Sequence, residues 1–132
     1  MSQRINYMVL CSKDKARPIS ELYPSLELPS KCDSLLEGED LFVVTEEGHE
    51  IVAVLLTEDY VLAEATEWVE AHGADRPDRE ALLKCDARYQ VSASLSSFEV
   101  TFEAVWIVAS RLAKTCDGVI FDTYSKEWVK PF

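Results

Sequence analysis

Few residues in this chain are of a type that performs chemistry, and their spacing is unhelpful to it. Cys85 and His72 supply a thiol and a base, the pairing that nucleophilic catalysis needs. Nothing places them together, and a buried thiol plus a histidine at a helix end accounts for both. The densest group of metal-ligating types is Glu46-Glu47-Gly48-His49-Glu50. Metal ligands ordinarily converge from several elements, whereas this is one segment with one histidine, so it reads as a solvated hairpin turn. The H-E-x-x-H, G-x-S-x-G, Walker and dinucleotide-binding glycine patterns are absent. The expectation is a non-catalytic protein with no metal and no cofactor.

One segment needs separate weighing. Val119-Ile120-Phe121-Asp122-Thr123 resembles the strand that carries the nucleophilic aspartate of haloacid-dehalogenase-type phosphatases. That family has a second aspartate two residues later, where this chain has Tyr124, and a whole domain after the motif, where this chain has only Tyr124 to Phe132. Asp122 is therefore expected at a strand end, accepting local hydrogen bonds.

The elements that must position any site are organised around residues 87–123. From Arg88 to Leu95, Tyr89, Val91, Ala93 and Leu95 alternate with Arg88, Gln90, Ser92 and Ser94, the period of a half-buried strand. The period then changes. Phe98, Phe102, Val105, Trp106, Ala109, Leu112, Ala113 and Cys116 recur at three- and four-residue steps, one broad helical stripe. Ser96 with Glu99 fits a capping box, Leu95 with Val100 a hydrophobic staple, and Lys114 suits the helix C-terminal dipole. Asp117-Gly118 breaks the helix before Val119-Ile120-Phe121, an interior strand. Two strands joined by a crossover helix in one sheet should run parallel.

Taken in order, Ile5 to Cys11 is nearly all apolar and reads as a central strand. Lys13 to Pro29 is loop, broken by Pro18, Pro24 and Pro29, with a helical turn at Ile19 to Tyr23. Ser30 to Glu37 is expected as a short helix capped by Ser30, ending at Gly38. Leu41 to Thr45 and Glu50 to Leu56 form a hairpin. Thr57 is the expected N-cap of a helix that buries Val61, Ala65, Trp68 and Val69 and closes at Gly73, and Pro77 opens a shorter helix through Cys85. Trp128, Val129 and Phe132 should pack the tail down. The resulting expectation is a single α+β domain over 1–132: a two-layer sandwich with a mixed sheet of about five strands, ferredoxin-like elements and both long helices on one face.

Composition narrows the function classes. The chain has 132 residues, 48% of them hydrophobic, enough for one globular domain with a real core. Its net charge of −11 argues against nucleic acid or an anionic membrane as partner and favours a basic protein. Cys11, Cys32, Cys85 and Cys116 form no C-x-x-C pair and read as reduced thiols of a cytoplasmic protein. Ile5 to Cys11 is too short for a secretory signal, and no run has the length of a membrane helix. Met8-Val9-Leu10-Cys11 resembles a lipoprotein signal only in its cysteine, since Leu10 is bulky and no long apolar run precedes it.

Two surfaces stand out. Between Glu37 and Asp75 there are twelve Asp or Glu and no Lys or Arg. Glu39, Asp40, Glu46, Glu47 and Glu50 cluster around the hairpin ends, and Glu64, Glu67 and Glu70 lie off the core stripe of the following helix; together they are the candidate acidic docking surface. Val100, Ala104 and Ile107 form a ridge on the last long helix, a candidate apolar contact for a partner or a homodimer. The ending Thr115-Cys116-Asp117-Gly118-Val119-Ile120-Phe121-Asp122, after a long amphipathic helix, resembles the close of small acidic bacterial α/β proteins. Some of those resemble immunity proteins, the cytoplasmic antidotes of secreted toxins, although Asp117 stands where such proteins often carry a small residue. The resemblance implies a toxin-neutralising binding protein. The alternatives are a small enzyme or ligand-binding domain with a cleft near residues 13–29, and a homodimeric structural module.

Overall fold

A strand that is apolar at every second and every intervening position must be covered on both sides, and the first strand of this chain is. The computed structural model describes residues 4–28, 32–46, 48, 50–94 and 98–129, except the side chains at 4, 5, 94 and 98–103. β1 (Arg4–Cys11) lies between β5 (Ala87–Ser94) and β6 (Val119–Asp122), antiparallel to both. Tyr7, Val9 and Cys11 enter one core, Met8 and Leu10 a second on the opposite face.

The remaining strands are β2 (Asp33–Glu37), β3 (Asp40–Val44), β4 (Glu50–Leu56) and β7 (Glu127–Val129). They complete one seven-stranded sheet in the order β2-β3-β4-β5-β1-β6-β7. Every neighbouring pair is antiparallel, so the expected mixed sheet of five strands is corrected to seven antiparallel ones. The expected direction of the central unit survives. Two antiparallel steps make β5 and β6 parallel, with β1 inserted between them.

The helices are α1 (Ile19–Leu22), α2 (Asp59–His72), α3 (Arg79–Leu82) and α4 (Phe98–Cys116), with a 3-10 turn at Tyr23–Ser25. The two long ones do not share a face as expected. Val105, Val108, Ala109, Leu112, Ala113 and Cys116 of α4 pack with Tyr7, Val9, Tyr89 and Val91, whereas Ala65 and Val69 of α2 pack with Met8, Leu10 and Phe121. The sheet is thus the middle of three layers. The expected helix at Ser30–Glu37 is also overturned: its described part is β2, whose Leu36 pairs with Leu41 while Leu35 pairs with Phe42. Capping residues are a weak signal when a strand partner stands two residues beyond a Gly turn, here Gly38 at φ 63°.

Residues 13–28 complete the α4 side. Ile19 and Leu26 are buried there, and the Tyr89 hydroxyl accepts from Arg17 N at 2.8 Å and donates to Arg17 O at 2.6 Å. On the other side α2 is held by Arg88. Its guanidinium lies 5.2 Å from the Trp68 ring centroid and 5.6 Å from that of Tyr60, with Nη1 3.0 Å from Glu64 Oε1. Nη1 and Nε make no hydrogen bond, so the pairing is ionic contact and ring stacking. Glu58, without a side-chain cap bond, precedes α2, not Thr57; Gly73 closes it, its N–H bonding Val69 O at 2.8 Å. At the end of α4, Asp117 takes the left-handed conformation at φ 53° and Gly118 N–H bonds Ala113 O at 2.9 Å.

These contacts set three expectations. A Cβ at Gly118 would stand 2.9 Å from Leu10 O, Val9 Cγ1 and Cys116 Sγ, so Gly118→Ala should lower unfolding free energy by about 2 kcal/mol in urea denaturation. Glu64→Ala leaves the buried Arg88 without its carboxylate and should cost about 2 kcal/mol, more than Arg88→Met, which keeps the ring contacts; a double-mutant cycle reads the difference. Burial pushes the Tyr89 phenol from 10.0 up to about 12. The folded state therefore holds this proton where the unfolded chain has lost it, so the contribution is full below pH 10 and is lost as pH rises to 12. The unfolding midpoint should fall across that window, and less so in Tyr89→Phe.

Candidate protein-binding face

The register across β2, β3, β4 and β5 decides which side chains share a face. Leu35 pairs with Phe42, Phe42 with Val52 and Val52 with Ser92. Val44 lies beside that row, and Val54 pairs with Gln90, itself paired with Met8 of the second core. All of these point to the α2 side, because the alternate residues Leu41, Val43, Ile51 and Ala53 are buried with α4. α2 covers β5, β1 and β6 but stops short of the other half. Phe42, Val44, Val52 and Val54 are only half-buried, and Leu35 is 61% exposed.

The rim of this open half is acidic by the same alternation. Asp33 pairs with Val44 and Val44 with Glu50, while Glu37 pairs with Asp40; all four carboxylate residues are exposed. Pairing puts the Cβ atoms of each row on one face. The result is an apolar centre with carboxylates at both strand ends. Tyr60, 41% exposed above Arg88, borders it near the end of β4, where Leu56 pairs with Arg88.

Of the acidic residues singled out from sequence, Asp40 and Glu50 belong to this face. Glu39 does not: its carboxylate accepts from Ser20 Oγ at 2.9 and 3.1 Å, on the α1 side. Glu46 is exposed in the turn after β3, and Glu47 lies outside the described residues. Glu64 is committed to Arg88. Glu67 and Glu70 are exposed on α2, away from the buried Val61, Ala65 and Val69. The apolar ridge is not a surface as drawn, because Ala104 is buried in the α4 core; Ile107 is half-buried, and the Val100 side chain lies outside the described residues.

Asp33, Glu37 and the five apolar residues were missed. A signal existed: Phe42, Val44, Val52 and Val54 are apolar at the positions that a solvated sheet face would make polar. The catalytic suspects are engaged elsewhere. The His72 ring stacks on Phe121 at 5.9 Å, and the Cys85 thiol donates to Ala81 O at 3.6 Å. Asp122 Oδ1 accepts from Tyr124 N at 2.9 Å and Ser125 N at 3.4 Å, the local turn expected of it. Residues 13–28 pack Ile19 and Leu26 into the core, and Lys15 near their start lines a cavity with Leu10, Leu82 and Val119. Among the described residues no helix is long and apolar enough to cross a membrane. No protein-family profile, curated protein or solved structure matches this chain.

Proposed function

We propose that this chain is a non-catalytic protein-binding module that takes a basic protein on the open half of its sheet, in the manner of an immunity protein that neutralises a toxin. The observation that carries the reading is the apolar row Leu35, Phe42, Val52 framed by Asp33, Glu37, Asp40 and Glu50. An apolar centre supplies affinity through desolvation, while a rim of one charge sign steers the encounter and selects a partner of the opposite sign. Twelve carboxylate residues and no Lys or Arg between Glu37 and Asp75 extend that sign beyond the rim. The occupant is therefore a surface with an apolar strip flanked by Lys or Arg, such as a toxin domain that works on a polyanion. A second copy of this chain fits less well, since it would set the four rim carboxylates against their own kind.

The test is capture by the tagged protein from its own cells at low and high salt, compared with Phe42→Lys and with Asp40→Lys plus Glu50→Lys. The wild type should retain a stoichiometric basic protein. Phe42→Lys should abolish capture, and the charge reversals should weaken it about 10-fold or more with a lower salt dependence. Expression of the captured protein should arrest growth only where this chain is absent. Retention by both face variants, or loss through Glu67→Lys plus Glu70→Lys instead, would overturn the assignment of the face. A captured protein harmless to growth would remove the toxin reading.

A further inference from the structure

Three of the four cysteines meet at one cavity. β1 ends there with Cys11, α4 ends there with Cys116, and the chain after α3 contributes Cys85; Lys15, Lys84 and Asp117 complete much of the lining around about 280 Å3. Its mouth is at the surface, where Lys15 Nζ pairs with Asp117 Oδ2 at 3.3 Å and both side chains are more than half exposed. All three cysteines are thiols.

Two of the three are neighbours in that lining, one at the end of β1 and one at the end of α4, and the Cys116 thiol donates to Leu112 O at 3.4 Å. Cys11 beside it pulls Cys116 below the ordinary thiol value, although burial acts against this, and Cys116 pushes Cys11 above it, an effect that burial reinforces. Cys116 is also hemmed in: the position a Cβ would take at Gly118 is only 2.9 Å from its sulfur. Cys85 differs, since its thiol donates to the Ala81 carbonyl and burial pushes it up to about 11. Reactivity of a thiol follows its thiolate character and its access. Among the described residues no three His, Cys, Asp or Glu side chains are placed to hold a metal ion.

We propose that Cys11 and Cys116 form a hydroperoxide-responsive site, which a small hydroperoxide entering this cavity converts to a disulfide. The Cys116 sulfur, having lost its proton, attacks the terminal oxygen of the hydroperoxide. The O–O bond breaks, the alcohol or water leaves with that proton, and Cys116 becomes a sulfenic acid. Cys11 then attacks the Cys116 sulfur; the S–O bond breaks, the S–S bond forms and hydroxide departs with the Cys11 proton as water. Two thiols lose two electrons and the O–O bond gains them. The crosslink would staple the first strand to the last long helix, closing most of the chain into one loop and restricting the unfolded state.

The native wild-type protein is treated with hydrogen peroxide, quenched by alkylation and mapped by mass spectrometry without reduction. One intramolecular Cys11–Cys116 crosslink should appear and vanish with dithiothreitol, and the oxidised protein should melt about 5 °C or more above the reduced one. Cys11→Ser should stop at a Cys116 sulfenic acid that dimedone traps, whereas Cys85→Ser should leave the crosslink intact. The mapping itself needs no variant. Oxidation that begins at Cys85 or Cys32, crosslinks that join two molecules, or reaction only after urea unfolding would each overturn the proposal.

Discussion

The burial of β1 on both faces is the constraint on which everything else rests. An eight-residue strand that gives Tyr7, Val9 and Cys11 to one core and Met8 and Leu10 to the other cannot be exposed on either side. At roughly 2 kcal/mol for each large apolar side chain removed from water, those five positions outweigh any single ion pair in the molecule. A layer on each face is the consequence. α4 crosses one side between β5 and β6, and α2 with α3 closes the other, where Phe121 stacks with Trp68 at 5.3 Å and lies 4.6 Å from Trp128.

The two sides are not covered equally, and the difference is one of chain economy. On the α4 side, residues 13–28 extend the cover over β3 and β2, tied down by the Tyr89 hydroxyl and by Ser20 with Glu39. On the α2 side nothing comparable among the described residues reaches β3. The segment that follows α2 turns back toward β1 and β6, where Leu82 and Cys85 join the second core and Trp128 Nε1 donates to His72 O at 3.1 Å. Half of one sheet face keeps its apolar residues only half-buried, with Leu35 exposed at its edge. The thiol cavity lies instead by β1, β6 and the ends of α3 and α4, so the two features need not answer to one another.

Most elements were legible because each carries its own period. Glu50 to Leu56 alternates, α4 has its stripe, and the apolar runs at Val9 and Ile120 announce interior strands. What could not be read is what depends on partners. Ser30 to Glu37 has helix-capping residues, and only the pairing of Leu36 with Leu41 makes its described part a strand. Placement of the helices on opposite faces was latent in β1, whose apolar residues at both parities require two covers. The same logic applied to Phe42, Val44, Val52 and Val54 gives the open face. Reading acidic residues by their density in the chain instead of by strand parity kept Asp40 and Glu50 but added Glu39 and Glu64, which have internal partners.

The position of β1 also bears on how the molecule comes together during synthesis. It leaves the ribosome well before its partners, which lie at residues 87–94 and 119–122. The β2-β3-β4 meander, built from neighbours in sequence, can pair long before either partner exists. Until β5 and β6 arrive, Met8, Val9 and Leu10 have no sheet to enter, and the nascent chain carries an apolar strand with two bare edges, the kind of segment that chaperones hold and that aggregates when they do not. A fold whose keystone strand precedes both of its partners closes only after the later of them, β6, has been made.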